Sequence, residues 1–144
     1  MTPQRVTLIT LAVADMTRSR AFYAALGWKM HPRSQDEVTF YQANGFVFGL
    51  FGLDDLAKDQ GRPGEALGTG ATTLAQNFES AAEVEAAYAK AIGAGATALK
   101  DPQPVFWGGY SGYFADPDGH VWEMAMNPFW PLNDDGSLTL QDPE

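Results

Sequence analysis

Few side chains in this sequence are placed to do chemistry, and the one that stands out is Glu123. It lies in Val121-Trp122-Glu123-Met124-Ala125-Met126, a stretch too apolar to leave both of its faces in water, so one face must contain an acid. An unpaired buried carboxylate is strongly unfavourable and calls for a metal, an Arg or Lys, or a set of hydrogen-bond donors. A structural hydrogen bond to a neighbouring strand satisfies it as well as a ligand does. Lys29 and Lys100 stand toward strand ends, which leaves the hydroxyls of Thr73, Thr10 and Tyr113 as the expected company. With no cysteine in the chain, a thiolate metal site, a disulfide framework and a Cys nucleophile are all excluded. The two histidines, His31 beside Pro32 and His120 inside Asp116-Pro117-Asp118-Gly119-His120, read as surface and turn residues.

The elements that position Glu123 follow from the local pattern. Tyr110–Ala115 and Val121–Met126 are aromatic-rich and β-branched, and Asp116-Pro117-Asp118-Gly119 between them has Pro and Gly where a turn wants them, which predicts a hairpin. Toward the N-terminus, Arg5–Ala14 predicts a strand, Asp15 caps a helix running to Leu26, and Gly27 ends it. Its buried stripe is expected to hold Met16, Phe22, Ala25 and Leu26. Strands are predicted over Trp28–Arg33, Glu37–Ala43 and Phe46–Gly52, the last two joined by an Asn44-Gly45 turn. A helical turn at Asp54–Lys58 and a Gly/Pro-rich linker follow. Thr69–Phe78 is again a strand, Ser80 and Glu83 form a capping box, and Val84, Tyr88 and Ala91 give the helix that stops at Gly93 one apolar face. Thr97–Lys100 and Val105–Trp107 precede the hairpin as strands.

A strand, a helix and then a run of strands thus occur twice, the mark of a duplication. The predicted fold class is α+β: two βαβββ modules forming paired half-barrel cups around a cleft. The boundaries are module one at 5–57, a linker at 58–68, module two at 69–128 and a C-terminal tail at 129–144, all in a single domain. Alternation along the strands assigns Phe48, Leu50, Thr73, Ala75, Glu123 and Ala125 to one interior if Glu123 points inward.

Bulk properties bound the function classes. A chain of 144 residues with 45% apolar content can bury a real core. Its net charge of −9 is uneven, since the first sixty residues hold six basic and six acidic side chains and balance. The acidic excess beyond them makes nucleic acid an unexpected partner. The N-terminal Arg5–Ala14, interrupted by Thr7 and Thr10, reads as a strand rather than a signal peptide, and nothing approaches the ~20 apolar residues needed to span a bilayer. A cytoplasmic location without membrane partners is expected.

Two motifs carry a resemblance. The opening Leu11-Ala12-Val13-Ala14-Asp15-Met16 followed by Ala21-Phe22-Tyr23 and Leu26-Gly27, and the closing Phe114-Ala115-Asp116-Pro117-Asp118-Gly119-His120-Val121-Trp122-Glu123, resemble the vicinal oxygen chelate superfamily of glyoxalases, extradiol dioxygenases and bleomycin-resistance proteins. The resemblance implies that metal-using members place one His or Glu on the first and last strand of each module. Matched residue by residue, Glu123 takes the last such position, and Leu8, Thr73 and one of Phe48 or Leu50 take the others. Leu and Phe donate nothing, so no metal of the usual kind and no other cofactor is expected.

What remains is aromatic surface. Trp107 and Tyr110 flank Gly108-Gly109 and are expected at a loop rim over a flat ligand, although any one such aromatic could equally be core. The ligand-binding set is therefore Glu123, Thr73, Leu8, Phe48, Leu50, Trp107, Tyr110 and Tyr113. The expected function is a metal-free protein of the bleomycin-resistance type that binds or sequesters a flat aromatic, cationic small molecule. The alternative is a glyoxalase-like lyase or isomerase, or a dioxygenase, using Glu123 in a reduced or atypical metal site. The apolar Phe129-Trp130-Pro131-Leu132 is expected to be buried, sealing a cleft or packing in a homodimer, with the residues from Asn133 to Glu144 loosely ordered.

Overall fold

In a computed structural model describing residues 2–143, the chain forms two compact units, Met1–Gly68 and Thr69–Glu144. Met1, and Glu144 at the end of the expected tail, lie outside the described residues. The first unit contains β1 (Leu8–Val13), α1 (Met16–Ala25), β2 (Val38–Gln42), β3 (Val47–Gly52) and α2 (Leu53–Asp59). Asp15 caps α1 by accepting the Arg18 N–H at 3.0 Å. Gly27, at φ 94°, ends the helix by letting the Trp28 N–H reach back to the Tyr23 carbonyl at 3.0 Å. The sheet order is β1-β3-β2, with β1 parallel and β2 antiparallel to the central strand.

One predicted strand of this unit is absent. Over 28–33 the chain is irregular and meets β2 through the His31 N–H on the Phe40 carbonyl at 2.7 Å and the Phe40 N–H on Ser34 Oγ at 2.9 Å. Pro32 has no N–H with which to continue a ladder. Trp28 instead turns into the core, its ring 5.0 Å from Phe48 and 5.6 Å from Tyr41. The buried residues of α1 are Ser19, Phe22 and Tyr23, while Ala25 is exposed and Leu26 half-buried.

The second unit contains β4 (Thr73–Asn77), α3 (Ala81–Gly93), β5 (Thr97–Pro104), β6 (Tyr110–Ala115) and β7 (Val121–Met126), in the order β4-β7-β6-β5. Ser80 Oγ accepts the Glu83 N–H at 3.2 Å, and Val84, Tyr88 and Ala91 are the buried face of α3. The helix ends at Gly93 as expected, and Gly95 at φ 112° turns the chain away after it, the Ala96 N–H closing on the Ala91 carbonyl. β5 runs to Pro104, and Val105–Trp107, expected as a strand, belongs to the turn into β6, in which the Gly108 N–H bonds the Val105 carbonyl at 3.0 Å. Each unit thus packs a helix against one face of a mixed sheet, an α+β arrangement.

The strand registers correct one part of the sequence reading. In the second unit Glu123 of β7 pairs with Ala75 of β4 and Tyr113 of β6. The position with the same register in the first unit is Gly49 of β3, which pairs with Thr10 of β1 and Phe40 of β2. Phe48 and Leu50 are therefore on the opposite face from the one expected. They are buried, and the Phe48 ring lies 5.6 Å from that of Tyr23 in α1. Their counterparts Trp122 and Met124 are likewise buried. A one-residue error in parity exchanges the faces of a strand.

Candidate functional site

The face of the second sheet turned away from α3 is built by register. Thr73, Ala75 and Asn77 of β4 pair with Val121, Glu123 and Ala125 of β7, and Ser111 and Tyr113 of β6 pair with Ala125 and Glu123. The hairpin that aligns them is fixed by Asp116. Its buried carboxylate accepts the Asp118 and His120 N–H groups, each at 2.9 Å, so the Asp-Pro-Asp-Gly-His motif is a turn device. Gly119 needs its φ of 92°, and a Cβ there would stand 2.9 Å from Thr69 Oγ1.

A cavity of about 720 Å³ opens on this face, within the usual range for small-molecule sites. Its floor is Ala75, Glu123 and Ala125, its polar edge Asn77 and Asn127, and its aromatic surface Trp107, Phe129 and Trp130. Among the described residues that line it, Glu123 alone is charged. Tyr113 stands directly opposite on β6, with its phenol close enough to feel the Glu123 carboxylate. Burial first, and then the nearby Glu123 carboxylate, raise the Tyr113 pKa above the ordinary tyrosine value. Of the three hydroxyls expected near Glu123, Tyr113 is the one that the register sets directly across from it.

Trp107 is held by a glycine. Its indole lies on Gly109, where a Cβ would meet Trp107 Cζ3 at 1.8 Å and the Met126 carbonyl at 2.6 Å. The other predicted residues divide. Thr73 is exposed on the face of Ala75, two residues before it. Leu8 is 48% exposed at the start of β1. Phe48 and Leu50 belong to the core of the first unit. Tyr110 is on the helix side of β6, where its hydroxyl donates to Glu85 of α3, and this bond is the main reason its pKa is raised. It is not a rim residue, because strand alternation places it with Gly112 and Phe114 rather than with Tyr113.

Sequence reasoning missed Asn77, which simple alternation from Ala75 would have given. It also missed the wall formed by 127–138. The apolar composition of Phe129-Trp130-Pro131-Leu132 was a signal, but Phe129 is 71% and Trp130 46% exposed beside the cavity rather than buried. The residues from Asn133 onward, expected to be loose, close a hydrogen-bonded turn through Asn133, Asp135 and Ser137.

The donors present do not fit a divalent metal. Among the described residues, no three His, Asp or Glu side chains come close enough to share an ion. Thr73 and Leu8, at positions matched to ligands, offer one hydroxyl and an alkyl group. His31 Nδ1 accepts the Arg33 N–H at 3.1 Å and is exposed. Among the described residues no helix is long and apolar enough to cross a membrane.

This geometry agrees with known proteins. A solved structure of a glyoxalase-related enzyme from Fulvimarina pelagi is 38% identical, with a TM-score of 0.88, over 97% of this chain and 100% of that one. Lactoylglutathione lyase from Agrobacterium tumefaciens is 20% identical with a TM-score of 0.67 over 92% of this chain and 100% of its own. A glyoxalase/bleomycin resistance protein/dioxygenase family enzyme from Burkholderia phytofirmans PsJN is 19% identical with a TM-score of 0.73, over 83% and 96%. Those two share the fold. No curated protein matches the chain. The family model for the Glyoxalase/Bleomycin resistance protein/Dioxygenase superfamily matches residues 5–124, from before β1 into β7 and through Glu123. With the paired modules and the Asp116-fixed hairpin, that match shows that the chain belongs to this superfamily.

Proposed function

We propose that this chain is a small-molecule-binding protein whose second-unit cavity takes a flat, cationic aromatic ligand, without a resident metal. The observation that carries this reading is Glu123: one carboxylate, opposite Tyr113 in the sheet, in a cavity otherwise lined by apolar, aromatic and amide side chains. An ion pair that keeps its hydrogen bond in such surroundings is worth about 1.5–3 kcal/mol. A cation over an indole such as that of Trp107 adds about 0.5–2 kcal/mol. The test is Glu123→Gln, which keeps the shape and removes the charge. Calorimetric titration at pH 8 with 10-methylacridinium and with neutral acridine should show the variant about ten- to a hundredfold weaker for the cation. Acridine should bind both proteins alike. Equal affinities of parent and variant for the cation would remove Glu123 from recognition.

A second reading is an enzyme, a glyoxalase-like lyase or isomerase, or a dioxygenase, with Glu123 as base. A phenol paired across the strands with a carboxylate is an acid–base arrangement, and the Fulvimarina pelagi relative is described as a glyoxalase-related enzyme. Elemental analysis of protein purified without chelator separates the two, since stoichiometric Zn, Ni, Mn or Fe would favour the enzyme and overturn the binding reading. The binding reading also includes a cytoplasmic homodimer. The exposed Phe106 and Leu140 supply apolar surface for assembly, and light scattering at tens of micromolar tests it.

A further inference from the structure

The floor and the wall of the cavity come from different parts of the chain. Ala75 and Glu123 belong to the stretch that matches the family model, whereas Asn127, Phe129, Trp130, Leu132, Gly136 and Leu138 all follow it. That wall is a built structure. Asn127 turns the chain around Pro128, its Oδ1 accepting the Phe129 N–H at 2.9 Å and its carbonyl the Trp130 N–H at 3.1 Å. Farther on, Asn133 Nδ2 donates to Ser137 Oγ and Thr139 Oγ1, both at 3.0 Å, and the Asn133 N–H donates to the Ser137 carbonyl at 2.8 Å. Asp135 Oδ1 accepts the Ser137 N–H at 2.9 Å, and Gly136 takes the φ of 86° that this turn requires.

Between these two clamps, Phe129 and Trp130 are held beside the cavity with much of their ring surface in water. Phe129 also touches the loop that bears Trp107, since a Cβ on Gly108 would meet its ring at 3.1 Å. Fixing large aromatic surface in a solvated position is unfavourable unless something covers it. The carboxylate on the floor selects the sign of that occupant's charge, and the aromatic wall selects its flatness.

We propose that Asn127–Leu138 is the specificity element of the cavity. Trp130 and Phe129 take the ring face of the ligand and so set how many fused rings it carries, while Glu123 sets its charge. This inference rests on the binding reading above, and the experiment separates the two. Parent, Trp130→Ala, Trp130→Phe and Glu123→Gln are titrated by calorimetry with 10-methylacridinium, which has three fused rings, and 1-methylpyridinium, which has one. Trp130→Ala should bind the acridinium about tenfold more weakly and the pyridinium within about twofold of the parent, and Trp130→Phe should recover most of the loss. Glu123→Gln should weaken both cations by a similar factor.

If Trp130→Ala binds the acridinium as the parent does while Glu123→Gln does not, the wall has no part in recognition and the binding reading stands alone. A parent that binds neither cation overturns both. Sedimentation velocity is run on the same proteins. An altered assembly state of Trp130→Ala with unchanged titrations would make the wall a contact between copies of the chain and overturn the inference.

Discussion

Replacing Gly109 by Ala tests the link between backbone and site most directly. The added Cβ would stand 1.8 and 2.1 Å from two atoms of the Trp107 indole and 2.6 Å from the Met126 carbonyl oxygen. The indole can swing away, which relieves the first two contacts and takes Trp107 out of the cavity wall. The carbonyl cannot, because Met126 is the last residue of β7 and pairs with Tyr110 of β6, the residue after Gly109. Relief there requires opening the start of the β6–β7 ladder. Overpacking of this kind costs about 1–3 kcal/mol, and losing the half-buried indole adds about 1 kcal/mol. The sum of about 2–4 kcal/mol corresponds to a fall in Tm of roughly 6–15 °C for a chain of this size. Gly108→Ala is the control. It adds strain at φ 92° and a 3.1 Å contact with the ring edge of the exposed Phe129, which should cost about 1–2 kcal/mol and leave Trp107 in place. Urea unfolding, read by tryptophan emission and combined with 10-methylacridinium titration, distinguishes them. A Gly109→Ala protein within about 0.5 kcal/mol of the parent, or one destabilised with unchanged affinity, would refute the packing argument.

Two further outcomes follow from the same side chains. Asp116→Ala deletes the acceptor of two part-buried N–H bonds in the hairpin turn and should cost about 2–3 kcal/mol by urea unfolding. Asp116→Asn should recover part of that, because its amide oxygen can still accept. At alkaline pH, Tyr41, Tyr88 and Tyr113 hold their protons more tightly in the folded chain than in the unfolded one, chiefly because burial disfavours the phenolate. Their contribution is present below the unfolded value near pH 10 and is lost as pH rises through the folded values. The urea midpoint should therefore fall as the pH is raised above about 10. The fall should be shallower in Tyr113→Phe, and equal slopes would remove Tyr113 from the effect.

The legible parts of the sequence were those with local chemistry. Asp15, Ser80 and Gly27 announce helix ends by residue type, and Asn44-Gly45 announces a hairpin, Gly45 taking the positive φ of 80° in its turn. Glu123 was legible because an acid in an apolar strand has few comfortable environments. Strand faces in the first unit were not, because the residue in the register of Glu123 is Gly49, which has no side chain to reveal its direction. With that position silent, the large residues beside it, Phe48 and Leu50, looked like cleft surface. Tyr110 failed for the opposite reason. Its partner, Glu85, lies twenty-five residues away in the chain on α3, a tertiary contact that no local pattern encodes. The wall at 127–138 failed because apolar composition predicts burial by protein, whereas here it fits burial by a ligand.

The matching registers of the two units also show why the duplication has left its chemistry unequal. The same three strand positions read Thr10, Gly49 and Phe40 in the first unit and Ala75, Glu123 and Tyr113 in the second. Phe40 and Tyr113 differ by one hydroxyl, and that hydroxyl belongs to the residue paired with the acid. In the first unit the place of a side chain on Gly49 is bordered by Thr10 Oγ1 at 3.5 Å and the Phe40 ring at 3.7 Å, so its neighbours lean over the gap the glycine leaves. The helix-facing positions on either side, Phe48 and Leu50 against Trp122 and Met124, stay large and apolar in both units because each must cover a helix. Packing thus constrains one face of each central strand to the same kind of residue and leaves the other face free to differ. The acid and its phenol occupy the free face of the second unit, and it is on that face that the 127–138 wall stands.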